Sequence, residues 1–178
     1  MAAALAVDSA AEVEDSEVAV HPATGNRQMS RRWMQHLTTT PLTLRRHFPR
    51  SVLAAIDAAC MASEQSHRAE IRCAIEAMLP MGHLWRGVSS AARAVEVFSQ
   101  LRMWDTAENN GVLLYVLLAE RSIEIVADRG FAERVTAAEW RSICSRMEEA
   151  FRTGHYERGT LAALEQISAL ARQHFPGR

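Results

Sequence analysis

The sequence predicts an α/β fold: a short mixed sheet, containing a β-hairpin, held between layers of about four helices. Three observations carry this reading. Residues 111–118 form an apolar run that opens with Gly111, and 121–127 return with alternating Ile123-Glu124-Ile125. That pairing reads as a buried strand, a turn near Ala119-Glu120 and a second strand. Upstream, residues 69–77 alternate, with Ile71, Cys73 and Ile75 on one side and Glu70, Arg72 and Glu76 on the other, as a strand with one wetter face does. Stretches of helical period flank these strands on both sides.

The elements follow in order. A first helix over 51–64 places Val52, Ile56 and Cys60 on one face. The strand of 69–77 ends before a loop with Pro80 and Gly82. The following residues, Met81-Gly82-His83-Leu84-Trp85, are unusually apolar for a loop, and either cover the sheet or present Leu84 and Trp85 to a partner. A second helix over 90–103 offers Ala94, Val95, Phe98 and Leu101 to the core. After the hairpin, Thr136 opens a third helix with Thr-x-x-Glu, where Glu139 closes a capping box. Trp140, Ile143, Cys144, Met147 and Phe151 then recur at helical spacing. Gly154 ends that helix, and a fourth over 156–174 buries Leu161, Leu164, Ile167 and Ala171.

Charge divides the 178 residues unevenly. Residues 1–26 hold five acids and no arginine, whereas 27–50 hold six arginines (Arg27, Arg31, Arg32, Arg45, Arg46, Arg50) and no acid. The acidic segment has few large apolar groups, so 1–27 reads as a disordered tail. Residues 28–48 read as a basic arm and 49–176 as the folded domain. The arm, with Trp33, His36, Leu37, His47 and Phe48 interleaved, is expected to fold back on the domain. Peripheral contact with an anionic membrane is its other use, and nucleic-acid binding is disfavoured because the domain shows no basic excess. A protein partner is expected, of unknown identity.

Several function classes drop out. All 20 basic residues are arginine, which excludes a P-loop lysine, a Schiff-base lysine and a lysine base. No cysteine is followed six positions later by arginine, and His-Glu-x-x-His and Gly-x-Ser-x-Gly are absent. The three cysteines (Cys60, Cys73, Cys144) fall on apolar faces and read as free thiols. No apolar run approaches the roughly 18 residues of a membrane span, and the first residues lack a signal-peptide pattern, so a cytoplasmic location is expected.

Laid out this way, the chain resembles the TPM domain family, also known as YgcG-type or photosystem-repair-type domains, over 51–174. Asn109-Asn110-Gly111-Val112-Leu113-Leu114 is similar to the family's Asp-Asn-Gly-Val-Leu-Leu. Arg121 begins the return strand as the family's arginine does, and Gly130 matches the second glycine of its Gly-Tyr-Gly turn. Phe151, Gly154, Tyr156 and Gly159 match the aromatic-Gly-x-Tyr-x-x-Gly that opens the last helix, and Trp104 matches the tryptophan ending the helix that precedes the hairpin. The resemblance implies a Rossmann-like three-layer sandwich. It also implies calcium binding and acid-phosphatase activity in some members, and photosystem repair or membrane-protein maturation in others. Most members are exported or membrane-tethered, and this chain would be a cytoplasmic variant. It departs from the pattern in three places: Asn109 replaces an aspartate, Asp128-Arg129 replaces Gly-Tyr, and the loop from Trp104 to Gly111 is shorter.

A turn at 119–120 would set Gly111 opposite about Asp128, and a parallel crossover would bring Glu70 to the same end. Glu70, Asp105, Glu108, Asn109 and Asp128 would then offer oxygens to a hard cation, Ca2+ or Mg2+. With a metal there, Asp128 and Arg129 are the candidate catalytic pair, the guanidinium clamping a phosphate oxygen. The competing reading is loop acids that are solvated or paired with arginine. Two functions stay open: a non-catalytic interaction or accessory domain assisting membrane or stress-related protein maintenance, or a metal-dependent phosphoesterase.

Overall fold

The computed structural model describes residues 5–6 and 25–177, with side chains from Arg32 onward. Its sheet has the order β1-β4-β3-β2, built from β1 (Leu5–Ala6), β2 (Ile71–Glu76), β3 (Val112–Leu117) and β4 (Ser122–Ala127). β2 and β3 are parallel, with Ile71 beside Val112, and β3 and β4 are antiparallel, with Val112 beside Ala127. The hairpin therefore has the expected register. Its turn is a 3-10 turn at Leu118–Glu120, closed by Arg121 in the left-handed region at φ 54°.

Helices cover both faces. One face, with Ile71, Leu114, Val116, Ile123 and Ile125, packs on α3 (Arg50–Glu64), α6 (Ala137–Arg152) and α7 (Tyr156–His174). Leu113, Tyr115, Leu117 and Val126 face the other way and pack on α5 (Ser90–Gln100) through Ala94, Val97 and Phe98. The result is a three-layer α/β sandwich around a mixed sheet. β3 is buried along its whole length, which is why its sequence shows no alternation. At α6 the capping box forms as expected, Thr136 accepting from the Glu139 N–H while the Glu139 carboxylate accepts from the Thr136 N–H at 2.8 Å.

One expectation gains detail and three are revised. The basic arm lies against the domain as two helices, α1 (Gly25–Thr38) and α2 (Pro41–His47). Residues 81–85 are a short helix, α4 (Met81–Trp85), in which Leu84 is buried while Trp85 and Met81 are exposed. Leu101 is 48% exposed, because α5 ends at Gln100 and the chain turns through Arg102 (φ 55°) to bury Met103 instead. Within the segment expected to be disordered, Leu5–Ala6 pairs with β4 and residues 25–27 begin α1; the remainder, 1–4 and 7–24, lies outside the described residues.

Candidate functional site

Parallel pairing of β2 with β3 brings their starts together with the end of β4. The backbone knits this corner: Val112 N–H donates to Glu70 O (2.8 Å), Asp128 N–H to Gly111 O (2.9 Å) and Gly130 N–H to Asn109 O (2.8 Å). Asn109 turns the loop at φ 51°, a conformation that asparagine tolerates better than most residues. Asn110 is buried, its side-chain amide donating to Arg68 O at 3.0 Å. The loop of 105–110 and the turn of 128–130 are thus neighbours, as the hairpin register implied.

The side chains at this corner are largely engaged with other groups of the chain. Glu108 pairs with Arg68 at 2.7 Å, and Glu70 with Arg72 at 3.0 Å, while Arg72 also meets Glu64. Asp105 and Arg129 are exposed. Asp128 is only 2% exposed; its Oδ1 accepts from the Arg129 N–H at 2.7 Å and caps the 3-10 turn Arg129–Phe131. Its Oδ2 is buried with no hydrogen-bond partner among the described residues. Against a cation, that oxygen is a suitable donor, but no three His, Cys, Asp or Glu side chains among the described residues form a group that would hold a metal. The donors fall short of the roughly 6–8 oxygens that calcium takes.

A second polar cluster lies at the opposite end, where β2 and β3 finish and where open α/β sheets ordinarily place ligands. Arg93 on α5, 8% exposed, forks onto Glu76 (Nη2–Oε1 2.6 Å, Nε–Oε2 3.1 Å) and also reaches Glu96 at 3.1 Å. The Tyr115 hydroxyl donates to Glu76 at 2.7 Å, and His83 meets Glu96 at 2.6 Å. Burial pushes the Glu76 carboxyl up, but the bonds from Arg93 and Tyr115 outweigh it and hold the group below its ordinary value. Burial, reinforced by the Glu76 charge, pushes the Tyr115 phenol up. Beside them Ser90 donates to buried Glu124 at 2.6 Å, with Ser122 Oγ 2.6 Å from the same oxygen.

Sequence reasoning missed this cluster. Its signal was present: Glu124 interrupts an apolar strand directly across from Tyr115, and Arg93 sits one residue before Ala94 on the core side of α5. His155 plays a local part, its Nδ1 lying 3.0 Å from Thr153 Oγ1 where α7 begins.

Comparison with known proteins bears on this geometry. The solution structure of the BA42 protein from the psychrophilic bacterium Bizionia argentinensis is similar, with a TM-score of 0.63 and 25% identity over 72% of this chain and 83% of that one. No curated protein matches the chain. The family model for the TPM domain matches residues 47–170, a span that takes in the sandwich from α3 to most of α7. The chain belongs to the TPM domain family.

Proposed function

We propose that this TPM domain is a non-catalytic accessory module that engages another protein. The observation that carries the reading is the state of the corner acids: Glu108 and Glu70 are held by Arg68 and Arg72, and Asp128 caps its own turn. A catalytic carboxylate needs a free lone pair within reach of a substrate. The polar cluster at the other end is likewise occupied with itself, since Glu76 is taken by Arg93 and Tyr115. For a partner, Trp85 offers an aromatic anchor, 75% exposed yet steadied by edge contact with Trp33 at 5.0 Å. Recovery of a discrete partner by the full chain, lost with Trp85→Ser, supports this reading. Identical recovery by both proteins, or none by either, counts against it.

Metal-assisted phosphoester hydrolysis is the second reading, and one observation favours it. Among the described residues Asp128 Oδ2 is a buried carboxylate oxygen without a partner, and the exposed Arg129 follows it directly. A cation there would also draw on Glu108 and Asp105, which requires Glu108 to leave Arg68. Calorimetric titration with Ca2+ tests the seat: saturable binding abolished by Asp128→Asn supports it, and equal heats from both proteins remove it.

A further inference from the structure

We propose that the outer surface of α1 and α2 docks on an anionic lipid bilayer. This goes beyond the accessory role argued above, and most of the surface precedes residue 47, where the TPM match begins.

Both helices are fixed in a definite orientation. On α1, Arg32 Nε donates to Glu120 at 2.7 Å, His36 Nε2 lies 2.8 Å from the same carboxylate, and His36 Nδ1 accepts from the Leu79 N–H at 3.1 Å. This holds the face of residues 32, 33 and 36 against the domain. Met34 and Leu37, one turn apart, are left 67% and 66% exposed. On α2 the inward residues are Leu44, packed on the core, and His47, stacked on Tyr156 at 4.1 Å, with buried Phe48 following. Leu42, Arg45 and Arg46 are exposed on α2, spaced i, i+3 and i+4, and exposed Arg50 opens α3.

Charge complementarity identifies the occupant. Residues 27–50 hold six arginines and no acid, although the whole chain carries a net charge of −1, so the segment carries a net positive excess that acids elsewhere in the chain offset. Large apolar side chains standing in water near the exposed Arg45, Arg46 and Arg50 match the headgroup layer of an anionic bilayer. The apolar groups enter the acyl boundary while guanidinium groups pair with phosphates. A nucleic-acid backbone would use the arginines but leave Met34, Leu37 and Leu42 in water. No described helix is long and apolar enough to cross a membrane, so the contact proposed is peripheral.

The test is flotation of the full chain with vesicles of phosphatidylcholine alone or mixed with phosphatidylglycerol, with duplex DNA at the same salt as a competing probe. The expected result is flotation with the mixed vesicles only. Arg45→Glu/Arg46→Glu should reduce it by about tenfold or more, from the roughly 1 kcal/mol that each basic group contributes near such a surface. Leu37→Ser/Leu42→Ser, which removes only exposed groups, should reduce it while leaving the far-ultraviolet circular dichroism unchanged. Equal flotation with both vesicle types, binding to DNA but not to vesicles, or full retention by the leucine variant would each overturn the proposal. Neither variant touches Trp85 or Asp128, so failure here leaves the accessory reading intact.

Discussion

Arg68 and Glu108 meet at 2.7 Å across the mouth of the sheet, joining the approach to β2 with the loop before β3. The pair occupies one of the acids that a cation beside Asp128 would need. Both side chains are substantially exposed, so their attraction is screened and contributes at most about 1 kcal/mol. Glu108→Gln should therefore move the thermal midpoint by no more than a few degrees. A larger drop would show that the ion pair, rather than the backbone, holds the corner.

What holds the corner is close backbone approach. A Cβ on Gly130 would lie 2.5 Å from Asn109 O and 2.6 Å from Glu108 O, and one on Gly111 would lie 2.1 Å from Met103 O. Those oxygens belong to backbone and cannot swing away. Gly130→Ala and Gly111→Ala should each destabilise by about 2 kcal/mol or more, measured by urea denaturation. Gly82, inside α4 with nothing within 4 Å of its Cβ position, is the control. Gly82→Ala should be neutral or stabilising by about 0.5–1 kcal/mol.

At the other end of the sheet, removal of Arg93 leaves the half-buried Glu76 without its cation. Arg93→Met should cost about 3 kcal/mol, since one partner of a buried pair is lost. The same bonds set an acid limb. Glu76 is held below its ordinary carboxyl value of 4.5, so its contribution is complete above that pH and is lost as pH falls through the lower folded value. In Glu76→Gln, and in Arg93→Met, stability measured from pH 5 down to about pH 3 should fall less steeply than in the wild type. Parallel slopes would contradict this assignment.

His67 acts in a separate window. It is 3% exposed, and burial holds its imidazole below the ordinary 6.5, outweighing the upward pull of the Ala69 backbone. On acidification the unfolded chain takes up this proton first, so stability is full above about pH 6.5 and declines below it. His67→Leu should flatten the decline between about pH 6.5 and pH 5. An unchanged slope would show that another group titrates there.

The sequence disclosed most of the sandwich because its signals are local. Apolar residues at 112–117 need cover on both faces, and Thr136 with Glu139 announces α6. The hairpin register followed from the same run and placed Gly111 beside Asp128 correctly. Side-chain destinations were not legible in the same way. Whether Glu108 turns toward Asp128 or Arg68 depends on a residue 40 positions away, and spacing does not encode that choice. Arg93 and Glu76 were hidden for a related reason: each reads as a solvated charge until the sheet and α5 bring them together. The arm's two helices, which meet at Thr39-Thr40, were given no secondary structure from sequence because arginines rather than apolar periodicity dominate the segment.

Turnover is the most direct test of the central claim, that the corner's glutamates are held by arginines and its carboxylates perform no chemistry. The full chain should be incubated with p-nitrophenyl phosphate in the presence of Ca2+ or Mg2+, beside Asp128→Ala prepared identically. The account predicts release of p-nitrophenol at the same background rate from both proteins and no response to either metal. A metal-dependent rate in the wild type that Asp128→Ala abolishes would contradict it and assign the corner to catalysis.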